Sequence, residues 1–470
     1  MLPDALPRPR DHQDSRRLAE RLGESLRIRR FSKMRTEAVP QWLRQRRESQ
    51  EYEVSRCPLE SLADWNLAPG TGDIVHRAGR FYAIAGLEAQ AGDAPPRSQP
   101  VIVQPEIGIL GVLAKEFDGV LHFLLQAKME PGNVNVLQLS PTVQATRSNY
   151  QRAHGGRTPD YLEHFLATSG GIVHHDSLQS EQGSYYLHKR NRNIVVETTR
   201  EVPVRDGFCW LTLGQVTDLS RLDNVLNMDA RTVFSALAAS GGGRLPTPFR
   251  DALARSLHEH RMLLSTPALL SWLTEARTNR TVRQRRVPLR QVAGWRHVDG
   301  ELRPDDGTGL SVIGVDVRAS TREVSHWNQP MITSAGTGLH AFVVKSFDGV
   351  AHVLVRAHTE PGTQDVAEIG PTVQTGPRMF VDPGAEAEIR RYVLASPPAR
   401  VHADCVLSEE GGRFYHVQNR YMIVEADAGF APELPPDYAW ATLRQLADLV
   451  RFGNQLNIEA RSLLCLLYGV

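Results

Sequence analysis

Three polar side chains fall at alternate positions near the end of one apolar segment: Gln126, Lys128 and Glu130 in GVLHFLLQAKME. Alternate residues of an extended strand share a face. An amide, an ammonium and a carboxylate would then point the same way, although a solvated sheet face would look alike. General acid/base chemistry needs such a set, with one group to move a proton and another to hold charge on oxygen. Only five of the 54 basic residues are lysines (Lys33, Lys115, Lys128, Lys189, Lys345), which singles out Lys128. Further on, PTVQATRSNY (141–150) sets Gln144, Thr146, Arg147, Ser148, Asn149 and Tyr150 almost in a row. Arginine grips phosphate oxygens, and amides and hydroxyls bind sugar hydroxyls. The stretch reads as the wall of a pocket for an anionic, hydroxylated ligand; the plainer reading is a solvated loop after a strand. Glu130 precedes Pro131-Gly132, so capping of a turn competes with proton transfer as its role. His122 sits among apolar residues and reads as a core histidine.

The elements that must position these residues occur twice. At a shift of 230 residues, KEFDGVLHFLLQAKMEPG (115–132) recurs as KSFDGVAHVLVRAHTEPG (345–362), and PTVQ recurs at 371–374. Residues 99–146 and 329–376 share 20 identities in 48 positions without a gap. The same shift relates Trp42 to Trp272, Trp65 to Trp295, Trp210 to Trp440 and Arg231 to Arg461. A repeat of this length is a duplicated domain rather than a solenoid unit. Residues 1–30 read as a polar tail and basic helix, 31–240 as the first repeat, 241–262 as a Gly/Pro linker with a bridging helix, and 263–470 as the second repeat. Each repeat reads as α+β: an amphipathic helix around Trp42 or Trp272, strands joined by Asp-Gly hairpins at 118–119 and 348–349, and a closing helix (LTLGQVTDLSRLDNVLNMDARTVFSAL in the first repeat).

Composition and missing motifs narrow the chemistry. The chain has 470 residues, 54 Lys plus Arg against 53 Asp plus Glu, and 41% hydrophobic residues. A balanced charge argues against a nucleic-acid binder. Four scattered cysteines fit a reducing cytoplasm and form no zinc spacing. No apolar run spans a bilayer, and the N-terminus carries no secretory h-region. There is no dinucleotide-binding GxGxxG after an early strand, no P-loop, no HExxH and no GxSxG. RESQEYE (47–53) is a faint fragment of a pyrophosphohydrolase metal box and lacks its second acidic pair. What is left is cofactor-free, metal-free acid/base chemistry, or binding alone.

The repeats differ where ligand groups are expected. In the ungapped register Lys128 faces His358, Arg147 faces Pro377, Asn149 faces Met379 and Tyr150 faces Phe380, while FDG, EPG and PTVQ persist in both. The first repeat is therefore expected to hold the working pocket.

QPEIGILG, KEFDGVLHFLLQAKMEPGN and QLSPTVQATRSNY resemble the NDP-hexose 2,3-dehydratase family over about residues 30–470. The resemblance implies a duplicated fold similar to Nudix hydrolases without their metal box. It also implies a homodimer, no cofactor, a dTDP-4-keto-6-deoxyglucose substrate from deoxysugar biosynthesis, and two sugar-nucleotide pockets per chain, the second vestigial with Trp327, His358, Glu360 and Gln374. A C4 ketone would acidify the C3 proton; a base removes it, the C2 hydroxyl leaves, and a 3,4-diketo-2,6-dideoxy sugar results. On this reading Glu130 is the base and Lys128 or Tyr150 the acid and enolate donor. Arg147 holds the diphosphate, while Gln99, Gln126, Gln144, Thr146, Ser148 and Asn149 line the substrate site. The reactive diketone calls for a downstream 3-ketoreductase. A nucleotide-sugar-binding protein without catalysis, and a nucleoside-diphosphate-sugar hydrolase, are the competing readings.

Overall fold

Asp118-Gly119 and Asp348-Gly349 adopt the left-handed conformation at both central positions (φ 49° and 80° in each pair). That twist matches the flanking strands and closes a two-residue hairpin. In a computed structural model of the chain, these hairpins are the centres of two equivalent sheets. The structure describes residues 12–29, 34–146, 158–166, 170–239, 247–258, 261–307, 309–320, 324–376, 384–430 and 434–470.

The hairpin strands Gly108–Phe117 and Val120–Met129 form the middle of a seven-stranded mixed sheet. Arg190–Glu197 pairs parallel to the first of them and antiparallel to the edge strand Ile172–Ser180. Phe208–Thr212 pairs with the second. The period-two pattern sorts the core: Leu110, Val112 and Ala114 face helices His12–Arg27, Leu213–Ser220 and Met228–Phe234, whereas Ile109 and Leu113 pack on the other face with Trp210. The second repeat builds the same sheet around Gly338–Phe347 and Val350–His358. His122 and His352 are buried core residues bonded to the carbonyls of Val120 and Val350.

The two halves exchange strands. Tyr52–Cys57 of the first repeat pairs antiparallel with Leu310–Ala319 of the second. Val282–Val287 of the second pairs with Ala83–Ala91 of the first. Two smaller five-stranded sheets are therefore composite, and the loops they carry cross between halves. The Glu-Pro-Gly turns lock this arrangement. Gly132 donates its N–H to Gly411 and accepts from His416, and Gly362 does the same with Gly183 and His188. A Cβ on Gly132 would lie 1.7 Å from the Phe414 carbonyl oxygen, and one on Gly362 1.9 Å from that of Tyr186. The Gly of EPG is thus required in both copies by close backbone approach.

The closing helix expected as one element is two in each half. Asn224 (φ 56°) turns the chain, and the side chain of Asn227 caps a second helix by accepting from Ala230 N–H. Asn454 and Asn457 repeat this before Ile458–Leu467. The second helices meet at the pseudo-twofold centre, where Arg231 and Arg461 are 0% and 1% exposed. Arg461 donates to Thr232 Oγ1 (2.6 Å) and to the carbonyls of Leu456 and Ser180; Arg231 donates to Leu226 and Ser408 carbonyls (2.7 and 2.8 Å). Arg461→Met would strand those buried acceptors and take a cation from beside Glu368, Glu181 and Glu459. It is expected to cost about 3–5 kcal/mol of stability, read as a lower urea midpoint; an unchanged midpoint would refute it.

Candidate active site

A cavity of about 150 Å³ opens beside the Glu-Pro-Gly turn of the first repeat. Lys128, Glu130, Gln144, Thr146, Glu181, Tyr186, Lys189, Asn191 and Asp229 enter it from the first repeat; Trp327, Gln329, Glu410 and Arg413 enter from the second. Lys128, Met129, Gln144 and Ala145 also line a larger groove of about 470 Å³, whose other walls include Arg46, Gln126, Thr158, Asp160, Arg205 and Asp206. The small cavity fits a hexose-sized group and the groove a longer appended one.

The expected residues are placed unequally. Gln126 and Lys128 share a face of their strand and line the groove; Lys128 Nζ donates to the Gln144 carbonyl (2.7 Å). Glu130 follows the strand end and is buried. Its carboxylate accepts from Gln144 Nε2 (2.6 Å), Asn133 Nδ2 and Asn227 Nδ2 (both 3.2 Å). Asn227 also donates to Gln144 Oε1 (3.1 Å). Arg147, Ser148, Asn149 and Tyr150 lie outside the described residues, directly after Thr146.

Strand exchange swaps two expectations. Gln99, expected beside Glu130, donates to the Ser184 carbonyl, and the Ser184 hydroxyl bonds Glu360 (3.0 Å), so it borders the second site. Trp327, expected in the second pocket, lines the cavity of Glu130 and donates its indole N–H to Gln329 (3.0 Å). Glu360 keeps its expected surroundings: it accepts from Gly183 N–H (2.8 Å) and from Gln374 (3.2 Å), which in turn accepts from Asn457 (2.8 Å). His358 and Arg97 line a groove of about 450 Å³ equivalent to the first. RESQEYE does not form one metal-binding helix: a helix ends at Glu48 and a strand starts at Tyr52.

Sequence reasoning missed the densest part of the cavity. Between Ile172–Glu197 and 400–425 the repeats align at a shift of 228, not 230. In that register Glu181, Asn191 and, at the 230 shift, Asp229 have counterparts Glu409, Asn419 and Glu459. Tyr186, Lys189, Glu410 and Arg413 have Phe414, Val417, Gln182 and Tyr185. The charged and hydroxyl groups special to one cavity thus come from both repeats.

Four carboxyl groups and three cations share this space, and buried like charges cannot all ionise. Burial pushes Glu181 up to about 7, and nearby Glu410 adds to the rise against Arg461, Lys189 and Asn191. Burial raises Glu410, opposed by Arg413, and raises Asp229 well above the ordinary range. Burial pulls Lys189 down to about 8, opposed by Glu181. Glu368, beneath Ser180, is raised to about 7 by burial. A folded-state carboxyl raised this way keeps its proton between pH 4.5 and 7 while the unfolded chain releases it. The stability it contributes is full below pH 4.5 and lost as pH rises through 7. Urea midpoints should therefore fall more steeply over that window in the native protein than in Glu368→Gln, by about 1–3 kcal/mol in all; parallel curves would contradict this.

Known proteins are similar to the chain along nearly its whole length. The chain is 47% identical to the dTDP-4-dehydro-6-deoxy-α-D-glucopyranose 2,3-dehydratase of Streptomyces violaceoruber, over 90% of this chain and 95% of that one. It is 45% identical to the protein of that name from Amycolatopsis orientalis, over 97% and 94%. The one from Saccharopolyspora spinosa is 46% identical over 91% and 90%. A family model described as NDP-hexose 2,3-dehydratase matches twice, at residues 36–237 and 266–467, one match for each strand-exchanged half. With a duplicated α+β chain, a charged cavity at one of its two equivalent sites and these matches along nearly its whole length, the protein belongs to the NDP-hexose 2,3-dehydratase family.

Proposed function

We propose that the protein removes water across C2–C3 of dTDP-4-dehydro-6-deoxyglucose, giving a dTDP-linked 3,4-diketo-2,6-dideoxyhexose. The observation that carries this is the paired set of proton donors, acceptors and cations in the cavity of Lys128, Glu181, Lys189 and Glu410, absent as a set from the equivalent site. The hexose occupies that cavity and the nucleoside diphosphate the adjoining groove, lined by Lys128 and by Arg46 and Arg205, which are paired with Asp206 and Asp160. On this reading Arg147 binds the diphosphate and Tyr150 serves the sugar, and Gln126, Gln144, Thr146, Ser148 and Asn149 have substrate-binding roles.

The C4 ketone makes the C3 proton acidic, so elimination proceeds by acid/base steps. Lys128, at the junction of cavity and groove, holds the enolate oxygen. A carboxylate takes the C3 proton, and a protonated group hands one to the departing C2 oxygen. The three amide donors on Glu130, and the similar Glu360–Gln374–Asn457 set in the other half, favour an orienting role for Glu130 over that of base. The parallel strand pair inside each mixed sheet supports a relation to the Nudix fold. The chain works as a homodimer in deoxysugar biosynthesis, and its diketone product is consumed by a 3-ketoreductase.

Incubation of the protein with dTDP-4-dehydro-6-deoxyglucose in deuterated buffer, followed by mass spectrometry, is the test. Loss of one water with deuterium at C2 is expected. A bound but unchanged sugar would point instead to a binding protein, and cleavage of the diphosphate to a hydrolase.

A further inference from the structure

Two carboxyl oxygens lining the cavity have no hydrogen bond among the described residues, Asp229 Oδ1 and Glu181 Oε2; the counterpart of the first, Glu459 Oε2, is bare in the other half as well, so only the second sets this cavity apart. Glu181 Oε1 accepts from Asn191 Nδ2 (2.6 Å), but Glu181 Oε2 is buried without any hydrogen bond among the described residues. A buried bare carboxylate oxygen is costly. The equivalent Glu409 shows how the fold would satisfy it: Asn419 bonds one oxygen (2.5 Å), and Gln182 Nε2, reaching over from the first repeat, donates to the other (2.6 Å). At the cavity the residue in the place of Gln182 is Glu410. Glu410 makes no hydrogen bond to Glu181 Oε2, whereas Gln182 does bond Glu409. The single exchange of Gln for Glu therefore bares Glu181 Oε2 and adds a second carboxyl next to it. Glu410 is itself held by the Tyr186 hydroxyl (2.7 Å), where the other site has Phe414.

We propose, building on the dehydration reading above, that Glu181 Oε2 is the base that removes the C3 proton and Glu410 the acid that protonates the C2 hydroxyl. The C3–H electrons pass into the C3=C4 enolate and its proton goes to Glu181. When the enolate collapses, its electrons form C2=C3 and the C2–O bond breaks, the oxygen taking the Glu410 proton and leaving as water. Glu410 is left as a carboxylate that accepts from Tyr186. The C3 enol then gives its hydroxyl proton to Glu410 while Glu181, whose proton exchanges with solvent, returns one to C2, so both groups regain their starting states. Burial favours a neutral Glu410 and sets Glu181 up to about 7, which suits a donor and an acceptor working side by side near neutrality. One group thus comes from each repeat.

The test separates the two half-steps in deuterated buffer. The unmodified protein is run first with dTDP-4-dehydro-6-deoxyglucose, and no loss of water there would overturn the dehydration reading and this assignment with it. Glu181→Gln is expected to lower kcat by roughly 10²–10⁴ and to abolish deuterium entry at C3 of recovered substrate. Glu410→Gln is expected to lose turnover comparably but still to exchange C3, because the enolate forms and cannot expel oxygen. Glu409→Gln is expected to turn over normally. Water loss by Glu181→Gln within tenfold of the unmodified rate, or C3 exchange persisting in it, would overturn the assignment alone. If Glu181→Gln does not fold, Glu181→Asp decides: a kcat loss above tenfold at unchanged KM supports the assignment, and an unchanged kcat overturns it.

Discussion

Cutting the chain between Ala239 and Thr247 is expected to give two fragments with no turnover apart and restored turnover when co-expressed. The sequence repeats as two tandem halves, but the fold does not separate there. Tyr52–Cys57 would lose its registered partner, Leu310–Ala319, and Ala83–Ala91 would lose Val282–Val287. Open strand edges of this kind invite wrong pairing and aggregation. Arg231 would lose the Ser408 carbonyl and Arg461 the Thr232 hydroxyl and Ser180 carbonyl, leaving buried guanidinium donors unmet. The cavity would split as well, with Lys128, Glu181 and Lys189 on one fragment and Glu410 and Arg413 on the other. Size-exclusion chromatography and the water-loss assay read the result. A first fragment that is soluble, monomeric and active by itself would show that the exchange has no functional weight.

The duplication was legible because rare residues keep register: tryptophans, Asp-Gly hairpins and the EPG and PTVQ motifs recur at one shift. Each has a local physical cause, a twist at Asp118-Gly119 or a backbone contact at Gly132, that sequence patterns record. Strand exchange leaves no such local mark. Tyr52–Cys57 reads the same whether it pairs within its own repeat or across, so Gln99 and Trp327 were expected at each other's sites. The richest comparison was hidden for a second reason. A two-residue change of register before Ile172 puts Glu410 opposite Ser180, not Gln182, in an ungapped alignment. The polar stretch after PTVQ drew attention because it was contiguous, whereas Lys189, Tyr186, Glu410 and Arg413 are scattered over both repeats and meet only in the fold.

Lys189→Met is expected to lower turnover by about 10²–10³ without lowering stability at pH 7. The ammonium is buried, donates to the Glu106 carbonyl, and lies among Glu181, Glu410 and Asp229 with Arg413 as a like charge. Because folding depresses Lys189 to about 8, keeping it charged is unfavourable to the folded state. The stability this group contributes is present above its unfolded value of 10.5 and lost as pH falls through 8. A methionine has no such cost, and the second repeat holds an apolar Val417 at the equivalent place. Activity responds in the opposite sense. Lys189 is one of the cations that favour ionised Glu181; the other charged or titratable groups facing it are Arg461, Glu410, Asp229 and Tyr186. Without Lys189 the Glu181 carboxyl should titrate above its present value of about 7, and the acid limb of kcat/KM should move up by about 1 pH unit. A thermal melt at pH 7 beside a pH–rate profile checks both halves. Loss of activity together with a lower melting temperature would mark Lys189 as a structural ion, and an unmoved acid limb would separate it from the proton chemistry of Glu181.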